Sequence, residues 1–295
     1  MLTARFIGGD WGTTHLRLFL CGPDFAALEH LQGPGVNRVC GAFEKALDSL
    51  LKPWTDRYGE LPILLSGMVG SSIGWVQTPY LPCPVRPEQV AGACIELRGG
   101  RIRIVPGLSC RNRLDAPDFM RGEETQLLGA VALGRRDGWF VLPGTHSKWV
   151  RLEDGVIRRI ATFMTGELFA TLATHGTLAP LMASGADDDA AFVAGLDEAR
   201  GGAPLSNALF GVRARVVTGA MPAAQARSFV SGLLIGTEFV AALAGAGADL
   251  ACIGSATLRD RYARAARHFG MTLAGLDPDR VYCAALARFI DRIPA

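Results

Sequence analysis

Residues 5–20, RFIGGDWGTTHLRLFL, decide how this chain is read. An apolar run leads into Gly8-Gly9-Asp10-Trp11-Gly12-Thr13-Thr14, and apolar residues resume at Leu16, the pattern of a β-hairpin. Two readings fit. Asp and Gly are common in ordinary hairpin turns. The same turn also has what a phosphate site needs. Its glycines free the backbone for close approach to an anion, and its main-chain N–H groups form a concavity that receives one. Thr13 and Thr14 add hydroxyl donors, and Asp10, at a strand end, is suited to hold a hydrated Mg²⁺. Neither G-x-x-x-x-G-K-[ST] nor G-x-G-x-x-G occurs here, so the turn is neither a Walker loop nor a dinucleotide fingerprint.

A second stretch repeats the plan. VLPGTHSKWVRL, residues 141–152, is an apolar strand, a turn with Gly144, Thr145 and His146, and another strand. Lys148 stands out because the chain has three lysines against 27 arginines, so a lysine kept here suggests a compact point charge; a solvated strand residue is the plainer reading. MRGEETQLLGA (120–130) opens a helix near Gly122 with Glu123 and Glu124, where the helix dipole alone would favour carboxylates. A carboxylate there is also placed to take a proton from a hydroxyl, and Arg121 beside it suits an anionic group. SGMVGSSIGW (66–75) offers Gly70, Ser71, Ser72 and Trp75 as a lip for a polyol, or is a plain surface loop. CIGSATLRDRYARAARHFG, with Gly254 and Ser255 between strand and helix, is how a nucleotide is often received, and equally an ordinary turn. In FMTGEL, Glu167 lies in a first helical turn, where capping is the simpler role and a bond to substrate hydroxyls the other.

The bulk numbers narrow the classes. The chain has 295 residues, 49% hydrophobic and 20% charged, with a net charge of +2, which suits one large domain or two modest ones. Without a basic stripe and interleaved aromatics, nucleic acid is not the expected partner. Seven scattered cysteines, none at C-x-x-C spacing, point away from a zinc site or disulfide framework and toward a reducing compartment. No export signal is read at the N-terminus. The run FVSGLLIGTEFVAALAGAGA from Phe229 reads as a buried helix rather than a membrane span, because it carries Glu238. AFEKALDSLLKPW reads as a helix stopped or kinked near Pro53. Hairpins starting near residues 5 and 139 each lead into alternating strands and helices, which predicts two α/β halves of similar plan.

The order of these blocks resembles the actin-like ATPase superfamily of sugar kinases, heat-shock ATPases and actin. DWGTTHLR, SGMVGSSIGW, PYLPCP, VPGLS, MRGEETQLLGA, PGTHSKWV, MTGEL and SGLLIGTE together resemble the 2-dehydro-3-deoxygalactonokinase family over nearly the whole chain. The resemblance implies an α/β fold of two ribonuclease-H-like (actin-like ATPase) domains flanking an ATP cleft. The expected division is 1–124, with the first phosphate hairpin and a sugar-acid pocket, and 125–295, with the second hairpin and the adenosine motif; the last helix is expected to pack back on the first domain. Gly9, Asp10, Gly12, Thr13 and Thr14 then fall in the first phosphate motif, Gly144, Thr145 and His146 in the second, and Gly254 and Ser255 in the adenosine motif. The implied cofactors are ATP and Mg²⁺, with the metal on Asp10, since the second motif lacks the acid usual in the superfamily.

The implied reaction is phosphorylation of 2-dehydro-3-deoxy-D-galactonate at its 6-hydroxyl by a cytoplasmic enzyme of galactonate breakdown. GEETQL resembles the Gly-x-Glu-Glu segment of the exopolyphosphatase branch, which puts Glu123 ahead of Glu124 as the base. Lys148 is expected to stabilise the transferring group. Asn37, Arg38, Gly70, Ser71, Ser72, Trp75, Arg121 and Glu167 are expected at the sugar acid, with Arg121 and Arg38 the cations for its carboxylate. The partners are ATP and a small sugar acid, without nucleic acid or membrane; a homodimer is compatible with the chain but not read from it. A polyphosphate or nucleotide phosphohydrolase, a kinase for another sugar acid, and an ATP-binding regulator are the rival readings.

Overall fold

The computed structural model describes residues 4–112, 115–183, 185–242 and 249–290. The chain opens on the expected hairpin, β1 (Phe6–Trp11) and β2 (His15–Cys21), then β3 (Ala27–Pro34), a short helix α1 (Val36–Val39) and α2 (Phe43–Tyr58). The buried strand β4 (Ile63–Gly67) follows, then β5 (Tyr80–Pro82), α3 (Pro87–Gly92), β6 (Ile95–Leu97), β7 (Ile102–Ile104), β8 (Gly107–Arg111), β9 (Pro117–Met120) and α4 (Glu123–Ala132). The second hairpin is β10 (Gly138–Leu142) and β11 (Ser147–Glu153), extended by β12 (Val156–Phe163). Helices α5 (Thr165–Thr174), α6 (Ala179–Met182), α7 (Asp189–Arg200), α8 (Leu205–Val217) and α9 (Ala226–Ala242) come next, then β13 (Leu250–Ile253), α10 (Ala256–His268), β14 (Leu273–Leu276) and α11 (Pro278–Ile290).

Two sheets carry the plan. The first has the order β3-β2-β1-β4-β7-β6 and the second β12-β11-β10-β13-β14. In each, a hairpin and its third strand lie on one side, and the first strand pairs in parallel with the strand that arrives next, β1 with β4 and β10 with β13. The duplication predicted from the two hairpins is therefore a shared topology, and the fold is two ribonuclease-H-like halves. β5, β8 and β9 form a small third sheet that the sequence pattern did not announce.

Parallel pairing buries both faces of β1, so nearly every residue in it is buried. Leu47, Leu51 and Trp54 of α2 cover one face, packing with Ile7 and Trp11. Tyr282 and Leu286 of α11 close on Gly8 from another direction. The expected stop at Pro53 does not occur. α2 runs on to Tyr58, held by Trp54, which is 1% exposed and donates its indole N–H to Glu29 Oε2 at 2.8 Å. The second sheet is covered by Phe192 and Leu196 of α7, Phe239 of α9 and Tyr262 of α10 around Trp139 and Trp149. The Phe229 run is helix α9 as far as Ala242, and its remaining residues, 243–248, lie outside those described. Among the described residues no helix is long and apolar enough to cross a membrane.

The chain divides into two compact units. The first is Met1–Gly138, Val150–Ile160 and Leu276–Ala295; the second is Trp139–Trp149 and Ala161–Gly275. The boundary expected at 124/125 falls at the start of α4, which lies in the first unit. α11 belongs to the first unit too, packed along α4.

Candidate active site

In the first unit Asp10 pairs with Ser66 and Trp11 with Gly67, at the C-terminal ends of parallel β1 and β4. Such strand ends are where open α/β sheets present ligand-binding residues. Gly67 has φ 90°, and a Cβ on it would meet the Trp11 carbonyl oxygen at 2.9 Å and Asp10 Oδ1 at 3.3 Å. Gly122 has φ 111°, and its Cβ would lie 3.3 Å from Gly67 Cα. Only glycine accepts both the backbone angle and the close approach. These two residues therefore let α4 begin against the ends of β1 and β4, which brings Glu123 and Glu124 to the edge that carries Asp10.

Asp10 is fixed across its own hairpin. Arg17 Nη2 donates to Asp10 Oδ2 at 2.7 Å, and Arg17 Nη1 reaches Asp279 Oδ1 at 3.3 Å. Burial would lower the guanidinium pKa, but the two carboxylates outweigh it and hold Arg17 above its ordinary value. The two glutamates differ in access. Glu124 is fully buried, and both its oxygens accept the Gly122 N–H, at 2.9 and 2.7 Å. Burial, with the Glu123 charge adding to it, pushes the Glu124 carboxyl up to about 8. Glu123 is half-buried and accepts the Arg121 N–H at 3.1 Å. Of the pair, Glu123 has access to a ligand.

The Gly12–Thr14 turn is clasped from outside. Gly12 N–H donates to the His15 carbonyl at 2.9 Å, Gly35 N–H to Thr14 at 3.1 Å, Val36 N–H to Gly12 at 3.0 Å and Asn37 N–H to Thr13 at 3.1 Å. The segment carrying Asn37 and Arg38, both exposed, thus sits beside Thr13 and Thr14. Gly9 is buried inside β1, where a Cβ would strike the Leu65 side chain at 2.6 Å and Leu18 at 3.0 Å, so strand packing also requires its smallness.

Among the expected sugar-acid residues, the structure brings Gly70 and Arg121 together: a Cβ on Gly70 would lie 2.9 Å from Arg121 Nη1. Arg121 also bonds the Thr78 hydroxyl, donates to the Thr78 carbonyl at 3.1 Å and to the Tyr80 hydroxyl at 3.2 Å, and lies 4.2 Å over the Tyr80 ring. Ser71 is turned inward, its Oγ donating to the Met68 carbonyl at 2.7 Å, while Ser72 is exposed. Trp75 is half-buried and stacks on Phe43 at 6.4 Å. Glu167 is not in this unit.

In the second unit the Gly144–His146 turn is exposed, and α5 starts against it. A Cβ on Gly166 would lie 2.3 Å from the Gly144 carbonyl oxygen, and Glu167 N–H donates to the Thr145 carbonyl at 2.9 Å. The Glu167 carboxylate meets His146 Nε2 at 2.6 Å, so within its own unit Glu167 belongs with the turn. The Gly254–Ser255 turn comes to the same place, with a Gly254 Cβ position 3.4 Å from Pro143 Cδ, and Ser255 Oγ caps α10 by accepting the Leu258 N–H at 3.4 Å. Between these turns lies a cavity lined by Pro143, Gly144, Thr165, Phe169, Leu258 and Tyr262, with α9 at its back. Its lining is mostly apolar, with the Gly144 turn at one edge, the composition usual of small-molecule sites. Lys148 does not line it. That residue is 5% exposed and donates from Nζ to Thr162 Oγ1 at 3.1 Å.

No group of three or more His, Cys, Asp or Glu side chains is placed to hold a metal among the described residues. The donor set at Asp10 is one carboxylate. That fits Mg²⁺, which takes one or two carboxylates and completes its shell with water and substrate phosphate.

Several site residues carried no sequence signal. Thr78 and Tyr282 in the first unit and Phe169 in the second have ordinary neighbours in sequence, and Arg17 and Tyr80 lie in quoted blocks without a role of their own; pairing and packing bring each to its place. Glu238 did carry one, as a lone acid in an apolar helix.

Comparison with known proteins identifies the family. The pattern of the family described as 2-keto-3-deoxy-galactonokinase matches residues 10–289. A Rhizobium meliloti (strain 1021) protein named "Probable 2-dehydro-3-deoxygalactonokinase DgoK1" is 40% identical over 299 residues, covering 97% of both chains. A 2-dehydro-3-deoxygalactonokinase of Escherichia coli (strain K12) is 36% identical over 289 residues, again covering 97% of both. The crystal structure of a candidate 2-dehydro-3-deoxygalactonokinase from Sinorhizobium meliloti superposes with a TM-score of 0.89 at 36% identity, covering 98% of this chain and 100% of that one. With a match along nearly its full length, this chain belongs to the 2-keto-3-deoxy-galactonokinase family.

Proposed function

We propose that the protein transfers the γ-phosphoryl group of ATP to the 6-hydroxyl of 2-dehydro-3-deoxy-D-galactonate, as a cytoplasmic enzyme of galactonate breakdown. The observation that carries this reading is the Gly67–Gly122 contact, which sets Glu123 at the strand edge that holds Asp10. In the second unit, the cavity beside Gly144 and Gly254 receives the purine, while the Gly144–His146 turn addresses the phosphates. In the first unit, Thr13 and Thr14 supply N–H groups and hydroxyls to phosphate oxygens, the Gly12 N–H being held by the His15 carbonyl, and Asp10, oriented by Arg17, holds Mg²⁺. The metal, when bound, supplies neutralisation of the phosphate charge. Lys148 adds its charge from behind the second turn rather than by direct contact.

The sugar acid is assigned to the first unit. Arg121, stiffened by Thr78 and Tyr80, faces its carboxylate together with the exposed Arg38, and Ser72, Trp75 and the Gly70 backbone line the polyol. Glu123 accepts the proton of the attacking hydroxyl. Glu124 is kept beneath it as the buried cap of α4, where its oxygens fix the Gly122 N–H.

The assay is ATP consumption measured with and without each of a panel of 2-keto-3-deoxy sugar acids. ATP turnover stimulated by the galactonate derivative supports the assignment. ATP consumption unchanged by every sugar acid would instead make the chain a phosphohydrolase on the same fold.

A further inference from the structure

The second unit contains a buried carboxylate that phosphoryl transfer does not use. Glu238 lies in α9 with 0% of its surface exposed. An ion-forming group in that position is costly unless its oxygens are matched by donors. Here they are matched completely. Ser147 Oγ donates to Oε2 at 2.8 Å, Trp149 Nε1 to the same oxygen at 2.7 Å, and the Tyr262 hydroxyl to Oε1 at 2.8 Å. The Thr165 side chain also bonds the carboxylate.

The origin of these donors matters more than their number. Ser147 and Trp149 stand at the start of β11, the strand that leaves the Gly144–His146 turn. Thr165 is the first residue of α5, whose Gly166 lies against the Gly144 carbonyl. Tyr262 is on α10, the helix that follows the Gly254–Ser255 turn. One carboxylate thus ties α5 and α10, whose Thr165 and Tyr262 line the cavity, to β11, the strand that leaves the turn whose Gly144 lines it. An apolar residue in place of Glu238 would let β11, α5 and α10 choose their spacing by packing alone, leaving the Trp149 N–H buried without its acceptor and the Ser147 and Tyr262 hydroxyls only each other, at 3.3 Å.

We infer that Glu238 is a positioning residue for the nucleotide: it fixes the distance between the second phosphate turn and the helices on either side of the purine cavity. This rests on the assignment of that cavity to ATP, and its effect is confined to the nucleotide half of the reaction. A buried network serving stability alone would lower thermal stability without favouring one substrate over the other. A positioning network moves the nucleotide constants and leaves the sugar-acid constant in place.

The test measures binding of a non-hydrolysable ATP analogue by calorimetry, together with separate KM values for ATP and the sugar acid, on the full-length protein. Glu238→Leu should bind the analogue at least tenfold more weakly, with the sugar-acid KM within about twofold of wild type. Glu238→Gln should recover most of the affinity. Its amide oxygen keeps the Ser147 and Trp149 donors, and its NH₂ donates to a Tyr262 hydroxyl that turns round to accept. If Glu238→Leu does not fold, Tyr262→Phe and Ser147→Ala decide the matter, because each removes one donor and leaves the carboxylate with partners. A folded Glu238→Leu, or both single-donor variants, binding the analogue within twofold of wild type overturns the inference. So does an equal rise in both KM values. A wild-type protein that binds no ATP analogue is a different result: it removes the nucleotide assignment of the cavity, and the positioning role falls with it.

Discussion

Gly144 and Gly166 both sit at the turn of the second hairpin, which the proposed function gives to phosphate, yet packing demands only one of them. A Cβ on Gly166 would lie 2.3 Å from the Gly144 carbonyl oxygen and 2.9 Å from Thr145 Cα, so α5 would have to retreat by about 1 Å to accept a methyl group. A Cβ on Gly144 would find its nearest neighbour, the His146 carbonyl oxygen, at 3.8 Å, and the residue is not in the left-handed region. Protein packing therefore leaves Gly144 free to be alanine. Gly→Ala at a compatible position stabilises by about 0.4–1 kcal/mol through the unfolded chain, so Gly144→Ala should melt about 1–4 °C above wild type. If the phosphates approach this backbone, the same methyl group stands in their path. A displacement of about 1 Å costs on the order of 10²-fold in kcat/KM for ATP, or about 2.7 kcal/mol of transition-state binding. Gly166→Ala should lose ATP efficiency and also about 1–3 kcal/mol of stability. Thermal melts and initial rates with ATP varied at saturating sugar acid measure both. A Gly144→Ala protein as stable as wild type and equally efficient with ATP refutes the placement of phosphate at this turn.

The other predictions concern the first unit. Glu123→Gln should reduce kcat by about 10²–10⁴-fold while nucleotide binding persists; near-normal turnover would remove Glu123 as the base. Asp10→Asn should raise the Mg²⁺ concentration needed for half-maximal rate, read from rates across a Mg²⁺ titration, and an unchanged Mg²⁺ dependence would place the metal elsewhere. Arg121→Lys keeps the charge but loses the fork that reaches Thr78 and Tyr80, so the sugar-acid KM should rise while the ATP KM stays. For Glu124 the folded carboxyl is raised to about 8 from an ordinary 4.5. Between those values the folded state binds more protons than the unfolded, so this group's contribution to stability falls as pH rises, at up to about 1.4 kcal/mol per pH unit. Denaturant melts from pH 5 to 8 should show Glu124→Gln losing that slope, and parallel wild-type and variant profiles would count against a buried, raised Glu124.

How far the sequence could be read depended on whether the physics was local. The two hairpins, the helix opening at Gly122 and the late Gly-Ser turn were legible because turn chemistry and apolar periodicity act over a few residues. In the sequence Gly9 is known only by the motif it shares with Asp10 and Gly12, and only the side chains of Leu18 and Leu65 show that packing also requires its smallness. At Pro53, where a stop or a kink was expected, the stop is absent: α2 continues because Leu51 and Trp54 on either side are buried, and Trp54's partner Glu29 comes from β3. Glu123 was placed ahead of Glu124 only by a resemblance; the physical difference between them was out of reach, because which of two adjacent acids is buried depends on what packs over the start of α4.

By itself the sequence determined the repeated strand–turn–strand plan, the α/β class, the family and the set of turns able to meet phosphate, since each is written in short-range patterns of glycine, hydroxyl and apolar residues. Only the tertiary structure decided which of those residues stand together. Arg17 reaches Asp10 because β1 and β2 pair in one register. Gly67 meets Gly122 because a strand end and a helix start, 55 positions apart in the numbering, are brought into contact. Glu238 gathers donors from β11, α5 and α10 because buried carboxyl oxygens are costly to leave unmatched, and the residues that match them are neighbours in space and not in sequence.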